Sequence, residues 1–293
     1  MSSTTVAVRP PFRLDLTATA LRRLSTNVVD VIGDDGRYRR VFAAGNALLT
    51  VHQPEPGSLV IACKGKTDLD PVELARRMLG FEVDLAPFYA ASAAIPWLHD
   101  LVRRMRGVKP PRYPSLWEAI VNAVIYQQIS IHAAGAILRR IIERYETPVM
   151  IGETRLFPFP EPHIIADADA EELRALGLSI NKVVALRGLA RAVLDGELAE
   201  SELIALPTPE AIERLVGFRG IGPWTAAVIC LRGLGRLDLF PEKDSGVALS
   251  LRALSGEPDV DAAAILATLG PQRGMLYYHL LLGRLAARGD LVP

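Results

Sequence analysis

The first part of the chain alternates apolar and polar positions, as strands do when they bury one face. Phe12, Leu14 and Leu16 alternate with polar neighbours and predict a strand, and residues 19–24 predict a short helix. Three further strands are predicted at residues 38–44, 47–52 and 58–63, separated by turn-forming Asp, Asn, Pro and Gly. Asp70 and Pro71 open a helix that Gly80 ends. These elements predict an antiparallel sheet that carries helices on one face.

Helical periodicity replaces this alternation from about residue 84 onward. Ser115 and Glu118 form a capping box before a long apolar helix, which includes the polar interruption Tyr126-Gln127-Gln128-Ile129-Ser130. Further helices are predicted at residues 91–105, 170–176, 181–194, 261–269 and 274–287. The chain is therefore expected to have an α+β fold, with an antiparallel sheet domain at residues 1–85 and an all-α bundle at residues 86–293.

Two short amphipathic helices flank a glycine-rich hairpin at residues 208–235, TPEAIERLVGFRGIGPWTAAVICLRGLG. Thr208 is expected to cap the first helix, with Pro209 at its first position. The glycines between the helices allow a tight turn with some positive φ angles, and Pro223 restarts the helix. Backbone N–H groups between Gly222 and Thr225 would then point outward and form a phosphate site that uses no basic side chain.

The stretch FRGIGPWTAAVICL resembles the hairpin of the helix-hairpin-helix DNA glycosylases and is most similar to the 3-methyladenine DNA glycosylase II type. Asp244, in FPEKDSG and twenty-two positions beyond Gly222, matches the essential aspartate of that family. The resemblance implies an enzyme of base excision repair, which flips a damaged purine out of the duplex. It would then hydrolyse the N-glycosidic bond and leave an abasic site.

The resemblance also implies roles for individual residues. Asp244 would be the catalytic carboxylate that stabilises an oxocarbenium-like sugar, a role compatible with capping the helix that follows. Gln128 falls at the family position that enters the DNA stack, and a pair of satisfied core glutamines is the alternative. Trp224 would stack on the base or pack between helices. The implied DNA-binding residues are Gly220, Ile221, Gly222, Trp224, Thr225 and Gln128, and the implied base pocket comprises Trp224, Gln127, Ser245, Tyr278 and Leu281.

Family members with an additional lyase activity carry an amine two residues after the last hairpin glycine. Trp224 occupies that position here, so the expected product is an intact strand with an abasic site. Lys243, beside Asp244, keeps the lyase alternative open. The other alternative is a non-catalytic protein that binds damaged DNA, and the retained Asp244 argues against it. Aromatic pocket positions of some members correspond to Val228, Ser245 and Leu281, so the preferred lesion stays open.

Composition restricts cofactors and partners. Lys plus Arg equals Asp plus Glu at 33 each, so only a local basic face would attract DNA. The basic run RRMRGVKPPR is either that face or a solvated linker. Two distant cysteines predict no disulfide framework and no iron–sulfur cluster. The resemblance allows one monovalent cation at the hairpin backbone near Gly217, Gly220 and Gly222. We expect a cytoplasmic, nucleoid-associated monomer that acts on damaged double-stranded DNA, with no membrane contact.

Overall fold

A computed structural model describes residues 2–42, 47–65, 70–242, 245–256 and 260–291. Its N-terminal part is a five-stranded antiparallel sheet in the order β1-β5-β4-β3-β2. The strands are β1 (Ser2–Ala7), β2 (Val31–Ile32), β3 (Tyr38–Phe42), β4 (Ala47–Glu55) and β5 (Ser58–Lys64), and helices α1 (Leu14–Arg22) and α2 (Pro71–Leu79) accompany them. The α+β fold is confirmed, as are strands β3 to β5. Helix α2 is also confirmed, because Asp70 caps it and Gly80 ends it at φ 56°.

The strand predicted around Phe12, Leu14 and Leu16 is wrong. Leu14 begins α1, and every residue of this helix except Asp15 is buried. A helix buried on nearly all sides has no polar stripe, so its sequence lacks the 3.6-residue signal that would have distinguished it from a strand. The first strand lies earlier, at β1, where its residues pair with β5.

The rest of the described chain is mostly helical. Its helices are α3 (Ala86–Ser92), α4 (Pro96–Arg104), α5 (Leu116–Ile125), α6 (Ile131–Tyr145), α7 (Pro162–Asp167), α8 (Ala170–Ala175), α9 (Ile180–Leu194), α10 (Glu200–Ala205), α11 (Thr208–Val216), α12 (Pro223–Ile229), α13 (Ser245–Ser255), α14 (Ala262–Leu269) and α15 (Met275–Ala287). A π-helical turn (Cys230–Leu234) extends α12, and a 3₁₀ turn (Gly270–Gln272) precedes α15. A small hairpin of β6 (Val149–Ile151) and β7 (Thr154–Leu156) packs against the sheet through Leu156.

Two helix predictions need correction. The single helix predicted at residues 91–105 is divided between α3 and α4, because Pro96 has no N–H and holds Ile95 in an extended conformation. Thr208 is the first residue of α11, and Pro207 stands at the cap position without a side-chain hydrogen bond. The hairpin formed by β6 and β7 was not predicted.

A buried ion network joins the sheet to the helical bundle. Arg40 on β3 bonds Asp30 at 2.8 Å and also pairs with Glu118 on α5, and Tyr38 donates to Asp30 at 2.6 Å. One continuous apolar cluster includes residues from α1, the sheet and the bundle. The two parts therefore share a core, and the boundary near residue 85 stays a prediction. Within the described ranges, no helix is long and apolar enough to cross a membrane.

Candidate nucleic-acid interface

The hairpin between α11 and α12 contains one position, residue 220, at which only glycine fits without strain. Gly220 has φ 90°, and a Cβ there would lie 2.4 Å from the Cβ of Ala185 on α9. Gly217 and Gly222 have negative φ values, −60° and −93°. Backbone bonds from Phe218 N to Leu215 O and from Ile221 N to Phe218 O close the turn, both at 3.1 Å. Gly220 thus lets the hairpin approach α9 more closely than any side chain would allow.

No side chain caps the N-terminus of α12, which begins directly after this turn. Gly222 accepts the first helical hydrogen bond from Ala226 N at 2.9 Å. Ile221 is 4% exposed and Thr225 is 2% exposed, so neither presents its side chain to DNA, and their DNA-binding roles stay predictions. Trp224 is half-buried and packs against the core, so its stacking role stays a prediction.

Gln127 connects the hairpin to a second exposed segment. Its Nε2 donates to Gly220 O at 2.8 Å and to Thr225 Oγ1 at 2.6 Å. These two bonds use both amide hydrogens, which favours the satisfied-glutamine alternative for Gln127. Its side chain therefore fixes the hairpin, and its placement in a base pocket stays a prediction.

The segment Tyr126–Ser130 is a turn between α5 and α6 and not part of a single helix, contrary to our expectation. Helix α5 ends at Ile125, and Ser130 caps α6 by accepting from Ala133 N at 3.2 Å. Gln128 lies in this turn with φ 56°, a value rare for residues other than glycine, and its side chain is exposed. The structure therefore presents the Gln128 amide outward on a strained backbone.

Lys182 stabilises the start of this turn. Its Nζ donates to Ile125 O at 2.8 Å and to Gln127 O at 2.9 Å. These carbonyls lie at the end of α5, where no intrahelical donor reaches them. Burial lowers the pKa of Lys182 below its ordinary value. These two hydrogen bonds give Lys182 a structural role at this turn.

The remaining predicted pocket residues are not grouped on an exposed surface. Tyr278 is fully buried and its hydroxyl donates to Pro111 O at 3.0 Å, while Leu281 is 3% exposed. The structure thus gives Tyr278 a core role, and a pocket role for Leu281 stays a prediction. Asp244 and Lys243 lie outside the described residues, as does the side chain of Ser245.

Two of the five cations in RRMRGVKPPR bind carbonyl oxygens of the protein, which neither alternative for this run anticipated. Lys109 is buried, and its Nζ donates to Val83 O at 2.6 Å. Burial lowers the pKa of Lys109 to about 8. Arg112 donates to Gly233 O through Nε at 3.2 Å and Nη2 at 2.9 Å. Lys109 is therefore not available to DNA, and Arg112, which is half-buried, holds its loop to the π-helical turn.

Sequence reasoning missed a group of buried arginines and tyrosines behind the hairpin. Arg232, in the π-helical turn, donates to Ala20 O and Leu21 O at 3.0 Å and lies 4.9 Å from the centre of the Tyr113 ring. Arg23 lies 3.9 Å above the ring of Tyr126. The sequence signal that could have indicated Arg232 was an arginine within the apolar run VICLRGL. Among the described residues, no group of three or more His, Cys, Asp or Glu could hold a metal.

The HhH-GPD superfamily base excision DNA repair protein model matches residues 121–269. A DNA-3-methyladenine glycosylase of Bacillus subtilis is 30% identical over 171 residues, 58% of this chain and 56% of that protein. The probable bifunctional transcriptional activator/DNA repair enzyme AlkA of Mycobacterium tuberculosis is 31% identical over 233 residues, 75% of this chain and 44% of that protein. The chain thus spans about half the length of these curated relatives.

A solved structure, the 3-methyladenine DNA glycosylase from Archaeoglobus fulgidus, superposes with a TM-score of 0.79 at 24% identity, covering 97% of this chain and 99% of that one. At this identity, the likeness concerns the fold. The matched region begins within α5, includes the turn with Gln128, the hairpin and α12, and extends to the end of α14. The chain belongs to the HhH-GPD superfamily of base excision DNA repair proteins.

Proposed function

We propose that this protein is a monofunctional DNA glycosylase. It binds double-stranded DNA as a monomer, flips out an alkylated or otherwise damaged purine and hydrolyses its N-glycosidic bond. The observation that carries the proposal is the connection between hairpin and turn: Gln127 bonds both Gly220 O and Thr225 Oγ1, and Gln128 follows it directly. A phosphate bound at the hairpin and a side chain entering the duplex would therefore keep a fixed spacing.

The hairpin supplies the phosphate anchor. An uncapped helix N-terminus offers backbone N–H groups and a partial positive charge to an anion. This anchor explains how a chain with equal numbers of acidic and basic residues, 33 each, binds DNA. Because phosphate contacts release counterions, binding should weaken as salt increases. A monovalent cation at the hairpin carbonyls would add to this attraction.

Gln128 fills the space that the flipped nucleotide leaves. Its exposed amide lies on a turn that Lys182 and Gln127 hold from both sides. Extrusion of a nucleotide costs a few kcal/mol, and less at a damaged or mispaired base. Because the turn is held rigidly, insertion of the Gln128 side chain distorts the duplex and not the turn.

Asp244 supplies the chemistry. As the bond between C1′ and the base nitrogen breaks, positive charge develops on the sugar, and a carboxylate opposite C1′ stabilises it. The same carboxylate orients the attacking water. Asp244 directly precedes Ser245, the first residue of α13. A helix N-terminus favours a negative charge beside it.

The product is an abasic site in an intact strand. Trp224 stands where an amine nucleophile would be required, so no Schiff base forms at that position. Lyase chemistry through Lys243 and simple binding of damaged DNA are the competing functions, and the experiment below separates all three.

The test incubates the protein with duplexes that carry 3-methyladenine, 7-methylguanine, ethenoadenine or hypoxanthine. Released base is measured by chromatography and strand cleavage by gel, with and without borohydride. The proposal predicts base release without cleavage and without a covalent adduct. A borohydride-trapped adduct would replace it with the lyase function, and tight binding without release from any duplex would replace it with the binding function.

A further inference from the structure

A cavity of about 280 Å³, which we name the α6 cavity, lies between α6 and the chain that follows α1. Aliphatic side chains from both segments contribute to its walls: Leu24, Val28, Leu138 and Ile142. Its lining also includes Thr26 and Arg139, which are exposed, so the cavity opens to solvent. None of the residues that line it belongs to the predicted base pocket. The α6 cavity is therefore a separate feature of the fold.

Arg22, the last residue of α1, brings a buried charge to the α6 cavity. It is 7% exposed, and its Nε has no hydrogen-bond partner in the part of the chain that the structure describes. Arginine keeps its positive charge in proteins, and burial lowers the pKa of this guanidinium because it removes the charge from water. A buried cationic donor without an acceptor is costly. A ligand that accepts a hydrogen bond from Arg22 would remove that cost.

Two carboxylates approach the arginines of the α6 cavity without lining it. Asp30 attracts the Arg22 charge, but its Oδ1 already accepts from Arg40 at 2.8 Å. Glu143 pairs with Arg139 at 3.0 Å, and both side chains are partly exposed, so this ion pair contributes little and opens readily. The lining itself carries two guanidinium groups and no carboxylate. The α6 cavity thus favours an anionic ligand.

Phosphate is the anion that these features fit. Guanidinium N–H groups match phosphate oxygens in both geometry and charge. The aliphatic walls exclude water, and a charge interaction is stronger where the surroundings are less polar. We propose that the α6 cavity is a phosphate-binding site, in which Arg22 binds the phosphate from the inside and Arg139 binds it from the solvent side.

The α6 cavity extends to the turn that carries Gln128. Tyr126 belongs to this turn and lines the cavity, and the lining residue Gly135 lies five residues after the cap Ser130, about 7 Å along α6. Phosphates recur about every 3.4 Å along each strand of a duplex. A DNA backbone that passes the turn is thus one source of the phosphate, and free phosphate in solution is the other. The site stands without the glycosylase function, whereas its occupation by DNA rests on that proposed function.

Thermal unfolding in inorganic phosphate, compared with chloride at equal ionic strength, tests the site itself. A ligand of the folded state raises Tm, and phosphate also stabilises folded proteins without binding at a site. Arg22→Met removes the guanidinium and measures the second effect alone. The rise in Tm from chloride to phosphate should be larger in wild type than in Arg22→Met by at least about 2 °C. An equal rise in the two proteins would overturn the site.

A second pair of variants keeps the proposal testable if Arg22→Met does not fold. Thr26 and Ser25 are both exposed, and only Thr26 lines the α6 cavity. Thr26→Glu places a negative charge at the opening and should reduce the rise in Tm with phosphate. Ser25→Glu adds the same charge outside the cavity and should keep the wild-type rise. An equal rise in these two variants would overturn the site.

Duplex binding at increasing salt identifies the source of the phosphate. Each phosphate contact contributes about 0.9 to the slope of log K against log salt concentration. Occupation by DNA predicts that Arg22→Met lowers this slope by about one. Arg144→Met removes an equal charge from α6 outside the cavity and should leave the slope unchanged.

An unchanged slope in Arg22→Met, together with the larger rise in wild-type Tm with phosphate, would assign the site to free phosphate. Wild type that binds no duplex would overturn the proposed DNA glycosylase function and leave the phosphate site in place. Absence of both the phosphate-specific rise in Tm and the change in slope would overturn the site.

Discussion

Gly220→Ala should damage the hairpin more than any other single-methyl change in it. The new Cβ would lie 2.4 Å from the Cβ of Ala185, and the backbone would have to keep φ near 90°. The left-handed conformation costs an L-residue about 1–2 kcal/mol, and a methyl group forced into a packed contact costs about 1–3 kcal/mol. The free energy of unfolding should therefore fall by about 2–5 kcal/mol, unless the hairpin moves away from α9. In that case DNA binding should be lost instead.

Urea unfolding and fluorescence anisotropy with a duplex would measure both quantities. Ala185→Gly removes the methyl group that the new side chain would strike, so the double variant should recover about 1–3 kcal/mol in a double-mutant cycle. It should not recover the cost of the left-handed φ. Gly188→Ala is the control on the same helix, because a Cβ there meets nothing within 4 Å, and it should stabilise by about 0.5–1 kcal/mol. Unchanged stability and unchanged binding in Gly220→Ala would refute the close approach described for this hairpin.

Lys182→Met leaves the carbonyls of Ile125 and Gln127 without their donor, so it should cost about 1–3 kcal/mol in urea unfolding and weaken duplex binding; wild-type values for both would contradict the support of the turn. Burial lowers the pKa of His279 to about 4. Since the unfolded chain binds this proton near pH 6.5, stability should fall as the pH drops from 6.5 towards 4, by about 2 kcal/mol at pH 5. His279→Leu should flatten that dependence, and an equally steep curve in the variant would assign it to other groups. Arg40→Met leaves the buried Glu118 without its ion-pair partner and should lower the free energy of unfolding by about 3–5 kcal/mol, measured by thermal or urea unfolding. A loss below about 1 kcal/mol would show that Glu118 is protonated or rehydrated without its partner.

Much of the fold was predictable because its signals are local. The strands from β3 to β5 alternate apolar and polar residues between turn residues, and α2 carries both its caps in the sequence. Helix α1 was not predictable by the same means, because its burial depends on contacts with the sheet and with α15 that no short window contains. Pro96 was visible in the sequence, and the break it makes between α3 and α4 follows from its missing N–H.

The candidate site was predictable where a motif determined it. The hairpin glycines and Gln128 were identified from the sequence, and the structure connects them through Gln127. That connection was not predictable, since residues 127 and 220 meet only in the folded chain. The positive φ of Arg23, 65° directly after α1, was not predictable either, because nothing in the local sequence indicates a left-handed φ at an arginine.

The central claim is that Asp244 stabilises the sugar cation during hydrolysis, and single-turnover base release by Asp244→Asn tests it most directly. The duplex carries whichever lesion wild type releases fastest, and anisotropy first establishes that both proteins bind it. The account predicts equal binding and a rate at least about 100-fold lower in the variant, as for other electrostatic contributors to transition states. Release by Asp244→Asn at the wild-type rate would contradict it.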